Sequence, residues 1–280
     1  MPELPEAETV RRQLEKEIVG ATIKRLQVHI ARSARGHDSF AELAGLVECR
    51  RIMRVGRRGK AVLLLLNSKQ PSTLIIRLGM TGLVRVVSSK EPMEKHAAAV
   101  FELADRRQIR LVDQRQFGSV TARPGHDINA MPEFSAYGPE PFSEEFTPEY
   151  LKAAFSRRSA DIESVLMNQN VIAGIGKIYA DEICFRAGVR PSRSAYKLTG
   201  PMRQRVWSAT REILCEAIGE GGASARDEAF ADVYGMPGRF QDRLMVYQRT
   251  GQPCRVCGAP IRRARIAGGR GLHWCPKCQK

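Results

Sequence analysis

Residues 254–278 read CRVCGAPIRRARIAGGRGLHWCPKC, and the Cys-x-x-Cys pairs at the two ends decide the fold of the C-terminus. The pairs Cys254/Cys257 and Cys275/Cys278 are separated by 17 residues. This spacing lets each pair occupy a tight turn, and both turns can then face one tetrahedral ion. Four thiolates leave no coordination position for water, so the pattern predicts one structural Zn2+ and not a catalytic metal. A redox dithiol or a pair of disulfides is the alternative.

The residues between the two cysteine pairs are basic and rich in glycine. They include Arg262, Arg263, Arg265 and Arg270, with Gly268, Gly269 and Gly271. Arginine bonds phosphate oxygens in pairs, and glycine lets the backbone approach a phosphate closely. We therefore predict a hairpin that contacts nucleic acid, with a solvated charged hairpin as the alternative.

The chain before this module changes from strand-like to helical patterning. An amphipathic helix is predicted at 3–19, with Ala7, Val10, Leu14 and Ile18 on one stripe. Short β-rich runs follow over residues 21–123 and indicate a β-sandwich; the predicted strands are 22–28, 61–66, 74–78, 83–87, 98–103 and 109–112. Helices are predicted at 148–155, 161–167, 177–187 and 201–218.

The fold class is therefore α+β, with an N-terminal β-sandwich flanked by helices, a helical second half and a metal hairpin. The segment between the halves is rich in proline, glycine and acidic residues, which marks a boundary. We predict an N-terminal domain at 1–125, a linker at 126–147, a helical domain at 148–240 and the zinc hairpin at 241–280.

The charge balance favours a polyanionic partner. The 280 residues contain 45 Lys and Arg against 30 Asp and Glu, a formal net charge of +15. An acidic membrane surface would suit the same charge, but no run of about 18 uncharged apolar residues is present to span a bilayer. The start of the chain lacks the basic and apolar regions of a signal peptide. The three cysteines outside the pairs, Cys49, Cys184 and Cys215, are predicted to be buried apolar residues.

A glycine-containing stretch precedes the predicted helix at 177–187. Gly174 and Gly176 lie just before Lys177, but no strand comes before them and no third glycine follows, which makes a dinucleotide loop improbable. Helix amides exposed beside glycine, together with Lys177, would suit a DNA phosphate. A simple turn between two helices is the alternative.

Four motifs, in order and at matching separations, resemble those of the formamidopyrimidine-DNA glycosylase family, which also contains endonuclease VIII-type enzymes. They are MPELPEAE at 1–8, GRRGK at 56–60, QNVIAGIGKIYADE at 169–182 and VYQRTGQPC at 246–254, continued through CQK at 278–280. The resemblance extends over nearly the whole chain and implies a helix-two-turn-helix arrangement in the helical half. Leu4 favours the formamidopyrimidine branch of the family.

The resemblance implies that Pro2, Glu3 and Lys60 are catalytic and that Glu6 supports the active site. Removal of Met1 would expose the secondary amine of Pro2, and an α-amine of ordinary pKa about 8 is partly neutral at physiological pH. Such an amine can attack the sugar C1′, release the base and form a Schiff base that permits strand cleavage. Without the resemblance, these residues are ordinary helix-start and turn residues.

The resemblance also assigns residues that bind DNA: Met80, Arg115 and Phe117 fill the space left by an extruded base, while Lys177 and Arg270 contact phosphates. The loop at 219–238 would cover the extruded base. Methionine fills irregular gaps and an aromatic ring can wedge into a base stack, which suits this task. For Met80 and Phe117, a position in the hydrophobic core is the alternative.

The expected function is a DNA glycosylase and abasic-site lyase that removes 8-oxoguanine and formamidopyrimidines from duplex DNA as a monomer in the bacterial cytoplasm. Four positions depart from the family pattern: Arg77 for histidine, Glu163 for lysine, Asn168 for aspartate and Lys177 for asparagine. They leave open the alternative that oxidised pyrimidines are preferred, as in endonuclease VIII-type enzymes. A non-catalytic zinc-ribbon protein that binds nucleic acid is the alternative from another class. It gives no reason for Pro2 and Lys60 to occur with the hairpin.

Overall fold

The computed structural model describes residues 2–67, 69–224, 230–265 and 271–280, and of Arg265 only the backbone. These residues form two compact units. Unit 1 contains the residues up to Ser135 together with Glu220–Arg239, and unit 2 contains Ala136–Gly219 and Phe240–Lys280. Among the described residues, no helix has both the length and the apolar character needed to cross a membrane.

The helices and strands confirm an α+β chain with a metal hairpin at its end. In chain order they are α1 (Leu4–Ile18), β1 (Thr22–Val28), α2 (Phe40–Val47), β2 (Arg50–Arg58), β3 (Ala61–Asn67), β4 (Ser72–Arg77), β5 (Gly82–Ser88), β6 (Ala97–Leu103), β7 (Arg107–Asp113), β8 (Ser119–Pro124), α3 (Pro148–Phe155), α4 (Ile162–Met167), α5 (Lys177–Arg186), α6 (Gly200–Gly219), β9 (Arg262–Arg265) and β10 (Gly271–Trp274). Short 3-10 turns occur between several of them.

Strands β1 to β8 form one antiparallel sheet in the order β5-β7-β6-β1-β2-β3-β4-β8. The connections β4–β5 and β7–β8 join opposite ends of this order through only four and five residues. In a flat sheet each pair would be six strand spacings apart, about 29 Å, whereas so few residues span at most about 20 Å. The sheet must therefore fold back on itself, which is the predicted sandwich.

Three elements escaped the sequence analysis: α2, β2 and β8. Strand β2 contains five arginines, and a register shift between Ile52 and Arg54 breaks the two-residue alternation that identifies a strand. Its apolar residues Ile52 and Val55 are nevertheless fully buried. The strand therefore pairs with both neighbours, while among its arginines Arg51 and Arg54 are exposed and Arg50 is buried.

Helix α1 buries the stripe predicted for it, since Ala7, Val10, Leu14 and Ile18 are all inaccessible to solvent. The helix contacts β2 and β3. Residues 220–239 also belong to this unit, because Phe230 and Val233 join the same hydrophobic core. The predicted helical domain at 148–240 had included them; in the structure the chain returns from α6 to unit 1 before it enters the zinc module.

The prediction for the unpaired cysteines was wrong at two of three positions. Cys184 is buried, but Cys49 and Cys215 are exposed. Cys49 lies in the turn between α2 and β2 with a positive φ of 58°, so its side chain is in a loop and not in the core. Cys215 lies on α6 beside the buried Leu214, on a face of that helix that points to solvent.

A buried carboxylate joins the helices of unit 2 to the start of the zinc module. Glu182 on α5 is 1% exposed, and it accepts hydrogen bonds from the backbone N–H groups of Met245, Val246 and Tyr247, each at 2.9 Å. Burial raises the pKa of this carboxyl group, and the three amides oppose that shift. Removal of the side chain would take this acceptor away from all three amides.

We expect Glu182→Ala to lower the free energy of unfolding of unit 2 by about 3 kcal/mol or more, because it leaves several buried N–H donors without an acceptor. Zinc release should accelerate in parallel. The matched control is Glu212→Ala, which removes an exposed partner of Arg186 and should cost less than about 1 kcal/mol. Denaturant unfolding and a chromogenic zinc assay measure both effects; equal losses in the two variants would contradict this interpretation.

Candidate active site and nucleic-acid interface

The first residues of the described chain are buried and held by a side chain of the helix they precede. Pro2 and Glu3 are buried immediately before α1. The Glu6 carboxylate accepts from the backbone N–H of Glu3 at 2.7 Å and, with its other oxygen, from the backbone N–H of Ala223 at 2.7 Å. A Cβ on Gly222, whose φ is +85°, would lie 2.7 Å from Glu6 Oε1. Glu6 thus joins the N-terminus to the segment that follows α6.

Lys60 lies in a two-residue turn between β2 and β3. Gly59 takes the first turn position with a φ of 57°, which glycine adopts without steric cost. Arg57 bonds the carbonyl oxygen of Gly59 at 2.9 Å and the Glu8 carboxylate of α1 at 3.1 Å. The turn that carries Lys60 is therefore attached to the same helix that Pro2 precedes.

The three side chains that are expected to fill the space of an extruded base lie in two connecting loops of unit 1. Met80 is half-buried in the β4–β5 connection, and Arg115 and Phe117 are exposed in the β7–β8 connection. The Phe117 ring is 43% exposed, with the Arg115 and Arg32 guanidinium carbons 5.2 and 5.8 Å from its centroid. Neither Met80 nor Phe117 is in the core, so the structure places both where a ligand can reach them.

The loop at 219–238 is expected to cover the extruded base, and residues of its described part are hydrogen-bonded to α1. Gln13 accepts from the backbone N–H of Val233 at 2.9 Å and donates to Asp232 at 2.6 Å. The Tyr234 hydroxyl donates to Glu17 at 2.8 Å. Residues 225–229 of the predicted covering loop lie outside the described residues.

The glycine-containing junction of unit 2 is closed by the side chain of Gln169. Its amide nitrogen donates to the carbonyl oxygens of Met167 and Ile175, both at 2.8 Å, and its oxygen accepts from Gly174 N–H at 2.7 Å. Gly174 has a φ of +93°. Gln169 therefore already binds the Gly174 N–H, which lies before α5, and the exposure of the first amides of α5 itself stays a prediction.

Lys177 begins α5 and contacts two buried carboxylates. Its Nζ lies 2.5 Å from Glu163 Oε1 and 2.6 Å from Asp181 Oδ2, and its side chain is 22% exposed while both carboxylates are fully buried. Burial raises the pKa of Glu163 to about 7; Lys177 opposes the shift and Asp181 adds to it. The position therefore combines a buried ammonium group, on a side chain that is partly exposed, with a buried carboxyl group that titrates near neutral pH.

Asp181 and His273 form a contact that the sequence analysis missed. His273 Nδ1 lies 2.8 Å from Asp181 Oδ2 and joins β10 of the zinc hairpin to α5. The histidine ring also packs edge-on against Tyr247, with ring centroids 5.4 Å apart. Asp181 follows Lys177 by one helical turn, which is a recognisable ion-pair spacing, but nothing in the sequence indicates that His273 would reach it.

The four predicted cysteine ligands come together, and their geometry fits a zinc ion. The sulfur atoms of Cys254, Cys257, Cys275 and Cys278 all lie within 4.8 Å of one another. Two of the distances are 3.9 Å, between Cys254 and Cys278, and 3.4 Å, between Cys257 and Cys275. A tetrahedral Zn–S bond length of about 2.3 Å requires sulfur atoms about 3.8 Å apart. The site is closed by four thiolates, and the cysteines hold one structural zinc.

The basic hairpin that the cysteines support is described only in part. Strands β9 and β10 are antiparallel, with Arg262 opposite Trp274 at one end and Arg265 opposite Gly271 at the other. Arg262 and Arg263 are exposed. Arg270, the residue assigned to phosphate contact, lies outside the described residues, as does the side chain of Arg265. The strands show a hairpin with exposed arginines on β9.

Three family models match successive parts of the chain. The formamidopyrimidine-DNA glycosylase N-terminal domain matches residues 1–120, the formamidopyrimidine-DNA glycosylase H2TH domain matches 137–229, and the zinc finger found in FPG and IleRS matches 251–280. The three matches together cover most of the chain.

Individual proteins agree over their full length. Formamidopyrimidine-DNA glycosylase of Pelotomaculum thermopropionicum is 38% identical over 280 residues, which are 100% of this chain and 99% of that protein. A structure of a Lactococcus lactis FPG mutant with Fapy-dG-containing DNA matches with a TM-score of 0.90 and 33% identity over 100% of both chains. The wild-type Lactococcus lactis protein with oxidised-pyrimidine-containing DNA matches with a TM-score of 0.88 and 32% identity, also over 100% of both. The chain therefore belongs to the formamidopyrimidine-DNA glycosylase family of base-excision repair enzymes.

Proposed function

We propose that the protein is a bifunctional glycosylase and abasic-site lyase that removes 8-oxoguanine and formamidopyrimidines from duplex DNA. The observation that carries this proposal is the buried Pro2-Glu3 start, which the Glu6 carboxylate ties to the rest of unit 1. A chain terminus normally frays, so burial and hydrogen bonding at this position favour a chemical task. The relatives with lesion-containing DNA support the substrate class.

In the proposed reaction the amine of Pro2, freed of Met1, forms a bond to C1′ as the bond between C1′ and the base breaks. The sugar ring opens with a proton delivered to its oxygen by Glu3, and loss of the amine proton leaves an iminium ion. The iminium accepts the electron pair released when the C2′ proton is removed. The 3′ C–O bond then breaks, and a second elimination breaks the 5′ C–O bond. Lys60 contacts a phosphate and assists the first step.

DNA binding is assigned to residues of both units. Met80, Arg115 and Phe117 replace the extruded base in the stack, while Lys177 and Arg270 contact phosphates. The zinc hairpin supplies further arginines from β9. We also propose that the protein acts as a monomer in the bacterial cytoplasm. A preference for oxidised pyrimidines is the second candidate, favoured by the match to the Lactococcus lactis complex with such a lesion.

Borohydride trapping tests the chemistry. The wild-type protein should form a covalent adduct with an 8-oxoguanine duplex when the iminium is reduced, and Pro2→Gly should lower the yield at least about 100-fold because it removes the secondary amine. Pro92→Gly, at an exposed proline between β5 and β6, should trap like the wild type. A duplex that is bound but never trapped by the wild type would support a non-catalytic zinc-ribbon protein.

The same assay on a panel of duplexes, each with one defined lesion, ranks the substrates. Single-turnover rates on 8-oxoguanine and formamidopyrimidine should exceed those on oxidised pyrimidines. The reverse order would support the second candidate.

Loss of zinc should weaken duplex binding without unfolding unit 1. Cys275→Ser removes one of four ligands and with it the support for the arginines of β9, so the dissociation constant should rise about tenfold or more. Cys215→Ser, which alters an exposed cysteine outside the cluster, is the matched control. Fluorescence anisotropy measures binding and circular dichroism measures the sheet; unchanged affinity in zinc-depleted protein would argue against a role for the hairpin.

Binding should also weaken as the pH rises through 7. Below that pH Glu163 is protonated, whereas above it the ionised carboxylate adds one negative charge beside Lys177, Asp181 and His273, near the proposed phosphate. Between pH 6 and 8 we expect a threefold to tenfold loss of affinity, roughly the effect of a pKa shift of up to one unit.

Glu163→Gln should bind more tightly than wild type at pH 8 and show a flatter profile. Glu212→Gln on α6 is the control and should keep the wild-type slope. Both are measured with a duplex that contains an uncleavable abasic-site analogue, so that catalysis does not intervene. A Glu163→Gln profile as steep as the wild-type profile would show that another group titrates.

A further inference from the structure

The connections β4–β5 and β7–β8 lie against each other at one end of the folded sheet. A Cβ on Gly79, whose φ is +67°, would lie 2.5 Å from both the carbonyl carbon of Phe117 and the backbone nitrogen of Gly118. Real side chains do not tolerate such a distance to a backbone atom, so glycine at position 79 allows the two backbones to touch. The loop that carries Met80 is thus in direct contact with the loop that carries Phe117.

One buried carboxylate binds both loops. Asp113 ends β7 opposite Gly82, the first residue of β5, and it is fully buried. Its Oδ1 accepts from the hydroxyl of Thr81 at 2.6 Å and from the backbone N–H of Arg115 at 3.2 Å, and its Oδ2 accepts from the backbone N–H of Gly118 at 2.6 Å. Hydrogen bonds to an ionised carboxylate are short and about twice as strong as neutral ones.

The residues that bind Asp113 lie next to the three side chains that are expected to fill the space of the extruded base. Thr81 follows Met80 directly, Arg115 is itself one of the three, and Gly118 follows Phe117. Between the two bonded amides lies Gln116, a non-glycine residue with a positive φ of 58°. Such a conformation is unfavourable for glutamine and persists where surrounding contacts fix it. The hydrogen bonds from the Arg115 and Gly118 amides to Asp113 fix the backbone on both sides of Gln116.

We propose that Asp113 is a positioning residue for base extrusion, which sets Met80, Arg115 and Phe117 in one fixed arrangement before DNA binds. This rests on the proposed function. Extrusion of a base costs a few kcal/mol, which inserted side chains offset. Side chains on loosely ordered loops would lose much of that gain to conformational entropy. Because the Asp113 carboxylate fixes both loops before DNA binds, little conformational entropy is left for them to lose on binding.

Two DNA substrates distinguish a positioning role from a general loss of folding. A duplex with an intact 8-oxoguanine requires the base to be unstacked, whereas a duplex with a preformed abasic site has no base to extrude and needs only the chemistry of Pro2. A positioning role at the loops therefore predicts a large defect on the first substrate and a small one on the second. A general loss of folding would lower both rates together.

Asp113→Asn tests this because an amide keeps one acceptor oxygen but replaces the other by an NH2 group, which cannot accept from Gly118. We expect single-turnover excision of 8-oxoguanine to fall between about tenfold and a hundredfold, the cost of a small misplacement of positioned groups. Cleavage and borohydride trapping of the abasic-site duplex should stay within about twofold of wild type. The matched control is Asp105→Asn, at an exposed aspartate that bonds the backbone N–H of Arg107, and it should leave both rates unchanged.

A second pair of variants tests the same contact without altering the buried charge. Thr81→Val removes the hydroxyl and keeps the side-chain shape, so it should show the same selective defect to a smaller degree, while Thr81→Ser keeps the donor and should restore excision. Fluorescence of 2-aminopurine placed beside the lesion should report less unstacking in Asp113→Asn and Thr81→Val.

Equal losses on both substrates, or no loss on the intact lesion in either defective variant, would overturn the proposal. Failure of the proposed function is recognised separately, because wild-type protein would then trap no adduct on the abasic-site duplex.

Discussion

The packing of α1 on the folded sheet is the contact on which the candidate active site depends. Burial of Val10, Leu14 and Ile18 contributes about 1.5 to 3 kcal/mol for each side chain, and this holds the helix on the sheet. The helix also presents Glu6 to the residues before it and Glu8 to the β2–β3 turn. One amphipathic helix thereby fixes Pro2, Glu3 and the turn that carries Lys60.

Unit 2 contains three buried carboxyl groups on its helices. Glu163, Asp181 and Glu182 are all buried in a protein with a net charge of +15. Isolated buried carboxylates would be very costly, and each has a different partner: Lys177 for the first, Lys177 and His273 for the second, and three backbone amides for the third. These partners come from different elements, so the carboxylates join α4, α5 and the zinc hairpin.

Much of this architecture was accessible from the sequence because it follows from regular patterns. The cysteine spacing predicted the zinc cluster, the stripe from Ala7 to Ile18 predicted the burial of α1, and six strands were placed by their apolar runs. Strand β2 was missed because five arginines and an irregular register hide its two buried apolar residues. The roles of Pro2 and Lys60 came from family resemblance, since a proline at a helix start and a lysine in a turn have ordinary structural explanations.

Contacts between distant parts of the chain could not be predicted, because no local pattern encodes them. Asp113 and Thr81 are 32 residues apart, and Asp181 and His273 are 92 apart. In both pairs a buried carboxylate binds a group on another element, and burial makes each contact sensitive to the loss of one partner. Asp113 reaches Thr81 because β7 pairs with β5 and places Asp113 opposite Gly82. The position of Met80 relative to Phe117 thus depends on the pairing of β5 with β7 as well as on Gly79 and Thr81 in the β4–β5 loop.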